Sequence, residues 1–175
     1  GDRDYAVEKL MYRGVFAAQH GEVDRAIVLF TRAQLQIPLH PGVNYNLALA
    51  QLERGRPQEA LDALAAALTG EPSYVPAREL AGSILVRAGF PADAAEQWRV
   101  ALVYEPERVT LRNNLGNVLM MLEKPDEARE QWDESVRLDP SNTTAHHNLG
   151  SWHSQRGDRD EALRHFERCL DLKPD

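Results

Sequence analysis

The sequence predicts an all-α solenoid of five helix-turn-helix units in tandem, about ten helices. Three observations carry this. Five prolines (Pro38, Pro72, Pro106, Pro140 and Pro174) recur every 34 residues. Gly21, Gly55, Gly89 and Gly157 keep the same interval, with Glu123 in the one remaining slot. Ala26, Ala60, Ala94, Ala128 and Ala162 form a third column in phase with both. A period of this size marks stacked helical units, each of which needs its neighbours to bury its apolar face.

Counting each proline as position 32 sets the units at 7–40, 41–74, 75–108, 109–142 and 143–175, behind an extension at 1–6. Helix A is expected over about positions 1–14. Pro41 and Pro76 fall at its start, where a missing N–H leaves no bond unmade. Position 15 is the glycine column, as a helix end that turns through a left-handed residue requires. Helix B is expected over about 17–30, and Pro57, Pro91 and Pro125 occupy its first turn. All ten prolines therefore lie at helix edges.

Packing columns complete each unit. Position 8 is small (Gly14, Ala48, Gly82, Gly116, Gly150), which lets two helices approach closely. Position 24 is bulky (Phe30, Leu64, Trp98, Trp132, Phe166) and fills the space between helix pairs. Position 27 is small (Ala33, Ala67, Ala101, Ser135, Cys169). Helix B of the fifth unit carries Leu163, Phe166 and Leu170, and no capping helix follows it in the sequence. That open face implies either continuation in a longer protein or self-association through uncapped ends.

Composition narrows the function classes. Twenty Lys and Arg stand against 27 Asp and Glu, a net charge of −7. This opposes binding to nucleic acid, which needs a basic face. No apolar run approaches the roughly 20 residues that span a bilayer, so direct membrane insertion is not expected. Cys169 is the lone cysteine and no internal disulfide can form. This favours the cytoplasm and leaves the periplasm open if a signal was removed.

These columns resemble the tetratricopeptide repeat (TPR) family. Repeat 4 matches its pattern through Leu115, Gly116, Leu119, Ala128, Trp132 and Pro140, and repeat 5 through Leu149, Gly150, Gly157, Ala162, Phe166 and Pro174. The resemblance implies a right-handed superhelix whose A helices line a concave groove. It implies a non-catalytic scaffold that binds a peptide or helix of a partner protein there. Groove residues carried over by position are Met11, Val15, Tyr45, Asn46, Leu49 and Leu52 at an apolar end. Arg87 lies between, and Asn113, Asn114, Asn117, Met120, His147, Asn148 and Ser151 form a polar end. Asparagine recurs at position 6 as Asn46, Asn114 and Asn148, similar to the asparagine ladder of TPR arrays that grip extended peptides. Tyr12 and Leu80 break the series. The clamp of TPR co-chaperones for an acidic C-terminus is not expected, because Thr110 and Thr144 stand where its lysines would be. Departures from the family pattern (Leu10, Asn44, Arg78, Arg112 and His146 at position 4; Arg13 and Ala81 at position 7; Glu123 at position 15) are expected to loosen individual helix contacts.

Enzyme chemistry finds little support. Glu161, His165 and Cys169 are spaced i, i+4, i+8 on one helix face, a spacing that offers metal ligands. Cys169, His146 and His153 fall in packing columns, however, so no metal site and no Cys–His nucleophile are assigned. Neither a phosphate-binding loop nor a paired-carboxylate pocket is present, and no cofactor is expected. Two further functional classes remain: an assembly module of a larger protein, and a substrate-presenting arm of a larger enzyme such as a glycosyltransferase.

Overall fold

The computed structural model describes residues 1–172, apart from the side chains of residues 2 and 3. The last proline of the series, Pro174, lies outside the described residues. Ten helices run in chain order: α1 (Asp2–Gln19), α2 (Val23–Gln36), α3 (Pro41–Glu53), α4 (Pro57–Gly70), α5 (Val75–Arg87), α6 (Pro91–Tyr104), α7 (Val109–Met121), α8 (Pro125–Leu138), α9 (Thr143–Gln155) and α10 (Arg159–Leu172). There is no strand among the described residues. Every helix B spans positions 17–30. All five A helices end one residue earlier than expected, and α1 absorbs nearly all of the leading extension.

The chain forms two compact units, Gly1–Ile84 and Leu85–Asp175. In the first, α1 pairs with α2 and α3 with α4, and α2 packs on α3. In the second, α7 pairs with α8 and α9 with α10, while α6 packs on α7 and α8 on α9. Thus α2 and α8 are each held between their own helix A and the next one. The core follows the columns: Ala26, Phe30, Ala33, Ala60, Leu64 and Ala67 are buried in the first unit, and Ala128, Trp132 and Ser135 in the second.

The turn between helices A and B has the same form in all five repeats. In the first, the Glu22 N–H donates to the Ala17 carbonyl at 2.9 Å and the Gly21 N–H to Ala18 at 3.0 Å. This closes the helix through one left-handed residue. Repeat 4 makes the same bonds, Lys124 to Leu119 and Glu123 to Met120. Glu123 takes φ +58° there, beside +75° to +85° for Gly21, Gly55, Gly89 and Gly157. The missing glycine therefore leaves the turn intact and moves the cost to the backbone of Glu123.

Position 8 is small for a more specific reason than helix approach. A methyl built on Gly14 would lie closer than 3.0 Å to the Phe30 ring, one on Gly116 to the Trp132 indole, and one on Gly150 to the Phe166 ring. The aromatic of position 24 rests on the bare Cα of position 8. Repeat 2 has the smaller Leu64 and carries Ala48 in the same slot.

Position 4 overturns the expectation of loosened contacts. Asn44 Nδ2 donates to the Pro38 carbonyl at 2.8 Å, Arg78 Nε to Pro72 at 2.9 Å and Arg112 Nε to Pro106 at 3.0 Å. His146 Nε2 stands 3.0 Å from the Pro140 carbonyl. Each polar side chain thus satisfies the proline carbonyl that ends the preceding repeat. Buried Asn44 also accepts from Gln34 Nε2 at 2.7 Å. Exposed pairs between repeats, Arg54 with Asp24 and Arg156 with Asp126, recur at positions 14 and 18 and add little energy.

Candidate partner-binding surface

In the first unit, the A-helix surface is apolar. Met11, Val15, Tyr45 and Leu52 are half-buried against the core, and Leu49 is 40% exposed. The Tyr45 ring meets Tyr74 edge to face, with centroids 5.8 Å apart. Burial, then the phenol of Tyr45 and the carboxylate of Glu71, hold the Tyr74 hydroxyl above the usual tyrosine range, so it stays neutral. One N–H of Asn46 Nδ2 is turned back to the Gly42 carbonyl of its own helix, at 2.8 Å. Tyr12, 74% exposed, and Phe16 extend the aromatic surface along α1.

In the second unit the surface is built from amides and indoles. Neither α7 nor α9 contains an Asp or Glu, whereas α8 has five and α10 has four. Asn148 Nδ2 donates to Asn117 Oδ1 at 3.0 Å. Among the described residues, this leaves the Asn117 amide N–H groups and the Asn148 carbonyl oxygen for another molecule. The two amides rim a cleft of about 210 Å³ lined also by Met120, Ser151, Gln155 and the rings of Trp132 and Trp152. Trp132 Nε1 is buried and has no hydrogen-bond partner among the described residues. Trp152 is fully committed: Nε1 donates to the Pro125 carbonyl at 2.9 Å, and the Arg156 guanidinium lies 3.8 Å from its ring centroid.

The other expected residues divide. His147 is exposed, with its ring 5.9 Å from that of Phe166, and Arg87 is exposed on α5. Asn114 is half-buried. Asn113 is only 6% exposed, and its Nδ2 donates at 2.9 Å to Asn142 Oδ1. That oxygen also accepts from the Ala145 N–H and caps α9. Asn113 therefore joins two repeats internally. Trp132, a packing residue by its position 24, floors the cleft together with Trp152, which the repeat columns do not single out.

No group of three His, Cys, Asp or Glu among the described residues is placed to hold a metal ion. The His165 ring turns to His146, and Cys169 Sγ lies 3.4 Å from the Thr143 carbonyl oxygen. No described helix is long and apolar enough to cross a membrane.

Comparison with known proteins accords with this architecture. Two tetratricopeptide repeat family models match, at residues 17–81 and 107–175. No curated protein matches the chain. Among solved structures, MamA superposes with a TM-score of 0.85 at 20% identity, over 92% of this chain and 94% of its own. YrrB, a TPR protein with an unusual peptide-binding site, gives 0.81 at 20% identity, over 100% and 94%. A tetratricopeptide repeat protein from Parabacteroides merdae gives 0.86 at 21% identity, over 97% and 68%. With its repeating turns, its small and aromatic columns and these matches, the chain belongs to the tetratricopeptide repeat family.

Proposed function

We propose that this chain is a protein-interaction scaffold that holds a peptide or helix of a partner on its A-helix surfaces. The Asn117–Asn148 pair carries the reading. Its remaining donor and acceptor match the C=O and N–H of one backbone unit of an extended peptide, and the adjoining cleft admits an apolar side chain. In the first unit, Tyr45 and Leu49 offer apolar contacts to a helix face or a hydrophobic segment. His147, Asn114 and Ser151 complete the polar surface. The resemblance in fold to YrrB supports a peptide as the ligand class.

Peptides selected on the intact chain from a random library, with affinities measured for wild type and variants, test this. Losing both amides in Asn117→Ala/Asn148→Ala is expected to weaken binding about 30- to 150-fold, at ~1–1.5 kcal/mol per hydrogen bond. Unchanged affinity in that variant and in Tyr45→Ala would refute the surface assignment. A second reading, an assembly module, is favoured by the exposure of Leu163 (57%) and Leu170 (68%) on α10, whose columns are covered in earlier repeats. It predicts a mass that rises with concentration in light scattering.

A further inference from the structure

Repeat 5 departs from repeat 4 at one cross-helix pair, positions 4 and 23. In repeat 4, Arg112 donates to the Pro106 carbonyl and, through Nη1, to Gln131 Oε1 at 2.9 Å. Repeat 5 has His146 and His165 in these places. The Pro140 carbonyl only accepts, so His146 Nε2, 3.0 Å away, carries a proton. Nδ1 of the neutral His146 ring then holds a lone pair. His165 Nδ1, 2.9 Å from it, is the donor. One added proton keeps an N–H···N bond between the rings, since an imidazolium donates to a neutral imidazole; a proton added to each ring sets two N–H groups face to face and breaks the relay. The ring of His153 stacks on that of His165, with centroids 5.7 Å apart and planes at 19°, and its Nδ1 lies 3.0 Å from Asp158 Oδ2. Three imidazoles are thus packed between α9 and α10.

We propose that the α9–α10 hairpin is a pH-responsive element: three imidazoles pack against one another between its helices while neutral, and the hairpin loosens as the medium becomes acidic and charge accumulates on them. Charged groups face the cluster from every side. Asp133 on α8 and Glu161 on α10 favour a charged His165, and His146 and His153 on α9 oppose it. Asp139 lies beside His146 and Asp158 beside His153. Burial, followed by the two neighbouring histidines, outweighs the carboxylates and holds His165 below the ordinary imidazole range. The opened hairpin takes up a proton near pH ~6.5 that the closed one refuses. Stability is therefore complete above that pH and is lost as pH falls through it. One such proton raises the opening equilibrium by up to about tenfold between pH 7.5 and 5.5. Asp and Glu titrate lower, at roughly 4, and contribute little over this range. Because α9 bears His147, Asn148 and Ser151, acid would disturb this part of the surface first. The inference does not depend on the partner-binding reading.

Hydrogen exchange on the whole chain at pH 7.5 and 5.5, corrected for intrinsic rates, tests it. Amides of α9 and α10 are expected to lose up to about tenfold in protection relative to α1–α4. Unchanged protection of α9–α10, or an equal loss in α1–α4, overturns the proposal. The double variant His146→Arg/His165→Gln installs the pair of repeat 4 and is expected to abolish the acid response. A response that persists in it also overturns the proposal. Should that variant fail to fold, NMR titration of the wild-type His165 ring decides: a midpoint at or above pH ~6.5 refutes the mechanism, and a lower one supports it.

Discussion

The A helices of the two units share one backbone pattern and present different chemistry. The α1 and α3 surface shows Tyr12, Phe16, Tyr45 and Leu49, with its one position-6 amide turned back on its own helix. The α7 and α9 surface shows paired amides over an indole-floored cleft. The contrast reaches inward. Position 24 is Leu64 over Ala48 in repeat 2 and Trp132 over Gly116 in repeat 4. A solenoid can therefore vary its surface and its packing together, because the outward residues stand on the ones that set helix spacing.

Truncating position 24 should produce the largest effects and expose any difference between the units. Trp132→Ala is expected to cost about 3–5 kcal/mol and Leu64→Ala about 2–5 kcal/mol, measured by urea denaturation. Loss of the first should also remove the floor of the cleft, whereas loss of the second should leave the Asn117–Asn148 pair in place. Equal behaviour of the two variants in peptide binding would break the contrast.

Position 8 offers a finer comparison. Gly116→Ala should destabilise by roughly 1–3 kcal/mol, because the added methyl meets the Trp132 ring. Gly116→Ala/Trp132→Leu, which reproduces the pair of repeat 2, should recover part of that loss. Without recovery in thermal melts, the coupling of these columns would be wrong.

Among these changes the smallest effect belongs to the turns. Glu123→Gly should stabilise the second unit by about 1 kcal/mol, since only this turn places a side chain at positive φ. A neutral or negative change in the denaturation midpoint would show that Glu123 gains something there beyond the turn.

Much of the fold was legible because its signals are local. A proline at the first turn and a left-handed residue at position 15 act within a few residues of chain, and a 34-residue interval repeats them. The site was legible only in part. Asn117 and His147 are exposed and Asn148 is half-buried. Asn113 and Asn46 occupy equally favourable positions, yet Asn113 is buried with its Nδ2 donating to Asn142, and Asn46 Nδ2 turns back to the Gly42 carbonyl. The polar residues at position 4 were read as faults in a packing column, although each bonds the carbonyl of a proline six residues earlier.

Sequence alone thus sufficed for the number and order of the helices, since proline, glycine and apolar period act through the nearby backbone. Which polar groups are left for a partner waited on three-dimensional packing. That outcome depends on neighbours such as Asn142 for Asn113, 29 residues away, and Asn117 for Asn148, 31 residues away. Hydrogen-bond capacity is a property of the side chain, but its availability is set by what the fold brings within 3 Å or so.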